Sequence, residues 1–271
     1  TPNTKAAILT NLSNSYYKEG RYEEALKLSE ENLANKIEIY GEDHPSVLLE
    51  INNLALSYHK AGNSAHALKL IEEAYEKRKQ ILGEEHPKTL DSASVMQMIY
   101  AQSGNYAKAA EINESIYDKR KKVLGENHPD TLNTLLTLGY DYGKTDNYEK
   151  ALYYHQQALV QQKQTLGPED PSLIATMRHV AYDQFKVKDY QTSLETYRQI
   201  LEKVSRIYGE EDLHTAQARF DLASVLNTLK HKEEALALYR QAYECRKKQL
   251  GEQHKDTIKI LDRIQKIKER M

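Results

Sequence analysis

The 271 residues carry a formal net charge of −2 with 29% of them charged, so the strong basic excess of a nucleic-acid-binding chain is absent. No apolar run approaches the roughly 18 residues of a membrane span, and no signal peptide is visible. The one cysteine, Cys245, excludes an intrachain disulfide and fits a reducing, cytoplasmic setting.

The chain opens on Thr1 rather than Met, which reads as a piece cut from a longer protein. Residues 1–40 then show Leu12-Ser13, Tyr16, Gly20, Tyr22 and Ala25 at helical spacings. Gly41-Glu42-Asp43-His44-Pro45 opens the next segment, 41–82, and Pro45 suits a first helical turn because its missing N–H costs nothing there. Leu48, Ile51, Leu54, Ala55 and Tyr58 predict one helix, and Ala61-Gly62-Asn63 breaks it. Ala67, Leu70, Ile71, Ala74 and Leu82 predict a second helix, which Gly83 ends.

Segment 83–124 begins with Gly83-Glu84-Glu85-His86-Pro87 and segment 125–166 with Gly125-Glu126-Asn127-His128-Pro129. Degraded connectors open 167–208 (Gly167-Pro168-Glu169-Asp170-Pro171), 209–250 (Gly209-Glu210-Glu211-Asp212) and 251–271 (Gly251-Glu252-Gln253-His254). The connector glycines 41, 83, 125, 167, 209 and 251 are each 42 residues apart, and a fixed period of this size marks a repeat array. One elongated domain over 1–271 is therefore expected, made of helix pairs with a single polar helix closing the array at 251–271.

The columns show how the units pack. A small residue recurs at Ser13, Ala55, Gly139, Ala181 and Ala223, after a large apolar one at Leu12, Leu54, Met96, Leu138, Val180 and Leu222. Small residues let helix axes approach and large ones fill the holes. Gln97 interrupts the small column, so the third unit must pack differently or aim that amide at a partner. Asp146, Lys188 and Lys230 stand where the earlier units break with glycine, and Gln184 and Leu226 replace the aromatic. Basic residues crowd the end of each second helix (Lys77 to Lys79, Lys119 to Lys122, Arg246 to Lys248), which reads as compensation of the helix dipole on a solvated face.

These columns resemble the tetratricopeptide repeat, whose usual period is 34 residues. The longer period and the Gly-Glu-x-His-Pro connector are similar to the kinesin light chain variety, found also in bacterial signalling proteins. The resemblance covers essentially the whole chain. It implies an all-α fold, a right-handed α-solenoid of six helix pairs and a closing helix.

Little points to chemistry. His44, His86, His128 and His254 share a column, but packed helix axes are about 8–10 Å apart whereas zinc ligands sit about 2 Å from one ion. Asp170 and Asp212 take the same column, and aspartate favours the helix N-cap, so a cap or loop-packing role is expected and no metal. Cys245 lies in an otherwise polar column beside Arg246 and Lys247, which suggests a partly exposed thiol and allows a depressed pKa. No glycine-rich phosphate loop, nucleophile constellation or cofactor motif is present, so no enzyme and no cofactor is expected.

The resemblance implies that the first helices of successive units line a concave channel for an extended peptide or a helix. The columns around the large apolar position then give the inner face. Asn11, Asn14, Asn52 and Asn53 carry amides that pair a peptide backbone. Lys18, Lys60, Lys144 and Lys186 place positive charge along one rim. Tyr140, Arg178, His179 and Tyr182 form a candidate anchor cluster, with Asn133 one turn before it. The bland reading of all of them is an ordinary solvated face. The expected function is non-catalytic binding of a protein or peptide segment with acidic and aromatic or apolar residues. The alternatives are a sensor or autoinhibitory arm of a larger signalling protease or nucleoside triphosphatase, and self-association through the outer face or an end.

Overall fold

The computed structural model describes residues 2–167 and 169–269. Thr1, Pro168, Arg270 and Met271 lie outside it, so the proline of the fifth connector and the last two residues of the closing segment are not placed. Thirteen α-helices and no strand occur among the described residues. They are α1 (Pro2–Lys18), α2 (Tyr22–Tyr40), α3 (Pro45–Lys60), α4 (Ser64–Leu82), α5 (Pro87–Gln102), α6 (Tyr106–Leu124), α7 (Pro129–Lys144), α8 (Tyr148–Thr165), α9 (Ser172–Lys186), α10 (Tyr190–Tyr208), α11 (Leu213–Thr228), α12 (Lys232–Leu250) and α13 (Lys255–Lys268). Odd-numbered helices are the first of each pair and even-numbered ones the second. The helices fall into two compact units, one holding α1 to α7 and the other α8 to α13. In the first unit each helix packs on the next, and α3 also touches α5. In the second, α8 packs on α9, α9 on α10, and so on to α13.

The connector starts a helix in the same way each time. The His44 backbone is extended and its Nδ1 accepts a hydrogen bond from the Ser46 N–H at 3.2 Å. His86, His128 and His254 do the same for the amides of Lys88, Asp130 and Asp256. Asp212 and Asp170 perform this job with a carboxylate oxygen on the amides of His214 and Ser172. The histidine column is thus a column of caps, each satisfying an N–H that the first helical turn leaves orphaned. An accepting Nδ1 puts the ring proton on Nε2. Four of the second helices, α4, α6, α8 and α10, are capped by Asn63, Asn105, Asn147 and Asp189, whose side-chain oxygens accept from the amide three residues on.

Between the helices of a pair the chain must turn through the left-handed region. Gly62 does so at φ 89°, and the Asn63 N–H then reaches back to the Tyr58 carbonyl at 2.9 Å. Asp146, Lys188 and Lys230 make the same turn at φ 59°, 67° and 67° with a side chain in place. Each carries a strain of about 1 kcal/mol that glycine avoids.

Packing follows the columns. Ala25, Ala67, Ala109, Ala151 and Ala235 are fully buried, as are Ala55, Ala181 and Ala223 opposite. Where serine replaces alanine its hydroxyl is satisfied by a backbone carbonyl: Ser13 Oγ donates to Ala25 O and Ser193 Oγ to Ala181 O. The second unit holds an extensive apolar cluster that runs from Ile174 to Ile267. In the first unit the comparable cluster is small, around Ala55, Ala67, Ile71 and Ile99.

The basic residues at the helix ends correct the sequence reading. Arg78 is only 2% exposed and does not sit on a solvated face. Its Nη1 reaches the next first helix, donating to Lys88 O at 2.9 Å and Ser92 Oγ at 2.7 Å. One unit later Arg120 reaches Thr134 and Ser94. One unit earlier Lys36 pairs with the buried Glu50 at 2.7 Å. Arg246 crosses to the backbone carbonyl of Asp256. Their neighbours turn the other way, to the acids of the preceding connector: Lys77 to Glu42 and Asp43, Lys119 to Glu84, Arg206 to Glu169, Lys248 to Glu211. The helix dipole is a minor part of what these cations do.

The caps give a direct test. His86→Ala removes the acceptor for the Lys88 amide and is expected to cost about 1 kcal/mol in chemical denaturation. His86→Asp restores an acceptor of the kind Asp212 provides and is expected to recover most of that loss. Equal stabilities for the two variants would show that the column does not cap.

Candidate functional site

The candidate residues lie on the odd-numbered helices, which present one exposed face per repeat. In the first unit Asn11, Asn14 and Lys18 are exposed on α1. Asn53 is half-buried and Lys60 exposed on α3, where the Lys60 ammonium donates to Gln102 Oε1 at 2.7 Å and the His59 ring shares that acceptor. Asn52 departs from the expectation of a groove amide. It is buried, and its side-chain oxygen accepts from Ser92 Oγ at 3.1 Å, the same hydroxyl that Arg78 holds. A residue spent on the contact between repeats does not pair a guest backbone.

On α7 Asn133, Tyr140 and Lys144 are exposed. The Tyr140 ring, 46% exposed, meets Tyr106 edge to face at 6.2 Å, with the Lys144 ammonium 5.1 Å above its centre. The second unit repeats this step on α9. Tyr182, 49% exposed, meets Tyr148 edge to face at 6.1 Å, and the Lys186 ammonium lies 5.9 Å from the Tyr182 centre and 4.6 Å from that of Tyr148. A hydrogen bond with Tyr148 raises the Lys186 pKa, so the cation is firmly charged. An exposed tyrosine flanked by an ammonium offers an apolar face and a positive charge to one guest segment.

Arg178 and His179 belong to the second unit as well. Arg178 Nε lies 3.4 Å from Asp221 Oδ2, close enough for an ion pair but not aligned as a hydrogen bond. Nε and Nη2 are buried without an acceptor. Burial raises the Asp221 carboxyl above the ordinary range, against the pull of Arg178 and a hydrogen bond from Gln217. Tyr197 nearby is pushed up by burial first and by Asp221 second. His179, exposed at the surface, stacks on the buried His155 ring at 4.8 Å, and partial desolvation by the surrounding protein, then the proximity of His155, lowers its pKa.

Besides Glu50, two buried acids next to the candidate tyrosines escaped sequence reasoning. Asp141, fully buried behind Tyr140, accepts from Gln97 Nε2 at 2.8 Å and Asn113 Nδ2 at 3.5 Å through one oxygen, while its other oxygen has no partner. The odd Gln97 of the small column thus meets an acid in the next repeat. One unit on, Asp183 takes the same column and pairs with His155 Nδ1 at 2.6 Å, both groups buried. The available signal was an acid three residues past the large apolar position, at Leu138 and Val180, where other units carry serine, isoleucine or valine.

Cys245 corrects another expectation. It is buried, its Sγ lies 3.0 Å from Glu211 O, and burial raises its pKa, the opposite of a reactive thiol. Among the described residues no group of histidine, cysteine and acidic side chains could hold a metal ion, and no helix is long and apolar enough to cross a membrane. A cleft of about 350 Å³ in the first unit, lined by Tyr75, Met96, Tyr100 and Ile112 among others, includes none of the candidate residues.

The tetratricopeptide repeat model matches residues 4–76, 46–122, 98–164, 144–202 and 172–248 in overlapping copies. Among curated proteins none matches in sequence. The nearly identical repeats assigned to a kinesin light chain of Podosopora anserina are similar in structure, with a TM-score of 0.69 at 24% identity over 76% of this chain and 98% of theirs. A signal transduction ATPase of Pyrococcus horikoshii with a tetratricopeptide repeat sensor has a TM-score of 0.68 at 17% identity, over 89% of this chain and 37% of its own. The quorum sensor NprR of B. thuringiensis has a TM-score of 0.56 at 16% identity, over 90% of this chain and 77% of its own. At these identities the likeness is one of fold: all-α, an α-solenoid of helix pairs.

Burial pushes the Asp141 carboxyl up to about 6, against the opposing hydrogen bonds from Gln97 and Asn113. Its folded pKa lies above the ordinary 3.8, so folding favours the protonated form. The stability this contributes is full below that ordinary value and is lost as pH rises through about 6. Asp141→Asn keeps the shape without the charge. It is expected to stabilise the protein at pH 8 by on the order of 2 kcal/mol and to do little at pH 4. Denaturation curves at the two pH values check this, and an equal effect at both would contradict it.

Proposed function

The chain belongs to the tetratricopeptide repeat family, and on that premise we propose that it is a cytoplasmic, non-catalytic scaffold for a protein or peptide segment. The segment lies along the exposed faces of the first helices. Each unit offers its own surface for such a segment: Lys18, Lys60 and Lys144 for acidic side chains and Tyr140 for aromatic or apolar ones in the first, Lys186 and Tyr182 in the second. The observation that carries this reading is the recurrence of one exposed tyrosine–lysine step, Tyr140 with Lys144 in the first unit and Tyr182 with Lys186 in the second. A core needs neither of these exposed rings, and a purely solvated face does not need them twice. Arg178, half-buried and paired with Asp221, adds a further cation to the second unit's patch. Asn11, Asn14, Asn53 and Asn133 serve backbone pairing and His179 completes the edge of the second unit's patch, while Asn52 belongs to the frame.

A second reading, a sensor arm of a larger signalling protein, draws support from the kind of proteins that share the fold. One of them is an ATPase whose repeats are its sensor, and another is a quorum sensor. Both readings use the same surface.

Capture of partners from the native extract tests the surface, with the unaltered protein and an Arg178→Glu/Tyr182→Ala variant of equal helicity as baits. Partners retained by the first and lost, or weakened at least tenfold (about 1.4 kcal/mol), by the second are expected. Identical partner sets would move recognition off these helices.

A further inference from the structure

The repeats provide an internal control for their own surface. Five positions along each second helix, spaced i, i+3, i+4, i+7 and i+11, lie on one face. In α6 they include Glu111, Glu114, Asp118 and Lys122. Four of the five are charged in α2, α4, α6 and α10, and three in α12. In α8 none is: the face reads Tyr153, Gln156, Gln157, Val160 and Gln164, and all five side chains are exposed. Tyr153 is 57% and Val160 53% exposed, among the most exposed large hydrophobic residues described. Tyr153 stands where Lys27, Lys69, Glu111 and Glu195 stand, and Val160 where Glu76, Asp118, Glu202 and Glu244 stand. A solvated repeat face uses charge for solubility, so the loss of all of it on one helix marks a face that meets protein.

We propose that α8 is a self-association surface, on which the α8 of a second copy packs antiparallel about a two-fold axis. Such a contact is isologous, so where one residue meets a second across the axis, the second meets the first on the other side. With the axis between Gln156 and Gln157, Tyr153 of one copy covers Val160 of the other, twice, and the central glutamines face one another. A glutamine amide both donates and accepts, so it pairs with its own copy without repulsion. The pattern of α6 or α10 in the same arrangement would set Glu111 against Asp118, or Glu195 against Glu202. At each end Lys163 of one copy comes level with Lys150 of its mate, with the mate's Glu149 one residue away to offset the like charges, so the attraction rests on the central stretch. The apolar and amide stretch from 153 to 164 is about 16 Å long. It buries on the order of 500 Å² per copy, below the standard interface, so the dimer forms at micromolar concentration and above. The inference does not depend on the peptide-binding reading, because no groove residue takes part.

Sedimentation velocity from about 2 to 200 µM is the test. The expected result is a shift from monomer to dimer across that range. A Tyr153→Glu/Val160→Glu variant, which restores residue types that other repeats carry at these positions, is expected to stay monomeric with unchanged helicity. Oxidation of a Gln157→Cys variant is expected to give a disulfide-linked dimer, and a Gln80→Cys control on α4 none. A monomer throughout the range, or a dimer that survives the double substitution, would overturn the proposal.

Discussion

The structure depends on a residue that each second helix lends to the next repeat. Position 78, with its equivalents at 36, 120 and 246, sends a cation across to the following first helix. There it finds a glutamate (Glu50), a hydroxyl (Ser92, Thr134) or a carbonyl (Lys88, Asp256). A helix pair alone cannot bury its apolar face, so stability in an array resides in neighbour-to-neighbour contacts of this kind. Burial costs the Arg78 guanidinium its water and lowers its pKa, and two hydrogen bonds on one nitrogen offset that cost. Such a contact adds little net energy, but it has one satisfactory register. Where the column turns to Gln162 and Val204 the extensive apolar cluster of the second unit takes over. The two units thus solve the same packing problem with different proportions of polar and apolar contact.

With the frame held by buried residues, the exposed faces can vary. The first helices vary among asparagine, lysine, tyrosine and arginine, and α8 alone among the second helices has no charge on the face from Tyr153 to Gln164. The buried acids Asp141 and Asp183 sit directly behind Tyr140 and Tyr182, one residue on in the chain. Each exposed tyrosine is therefore backed by a hydrogen-bonded polar contact to the preceding second helix, through Asn113 or His155.

Much of this was legible in the sequence because the period aligns six copies. Substitution within a column then separates roles. Aspartate in the histidine column pointed to capping, whereas Asp146, Lys188 and Lys230 in the glycine column read only as departures until the structure showed the same left-handed turn there. What was not legible depends on which neighbour a side chain meets. Lys77, Arg78 and Lys79 are adjacent in sequence but about 100° apart around the helix. One goes to the preceding connector, one to the next repeat and one to Glu76 on its own helix. Spacing places Asn52 on a face with Asn53 but does not reveal that Ser92 covers it. The oddity of Gln97 was visible, whereas its partner Asp141, 44 residues away, could only be seen once the helices were stacked.

The nearest-neighbour account is tested most directly by native-state hydrogen exchange on an Arg78→Met variant, which keeps the apolar stem and removes the guanidinium. If position 78 holds two repeats together, amides of both α4 and α5 lose protection while those of α1 keep theirs. Loss confined to α4, or spread evenly over the first unit, would contradict the account.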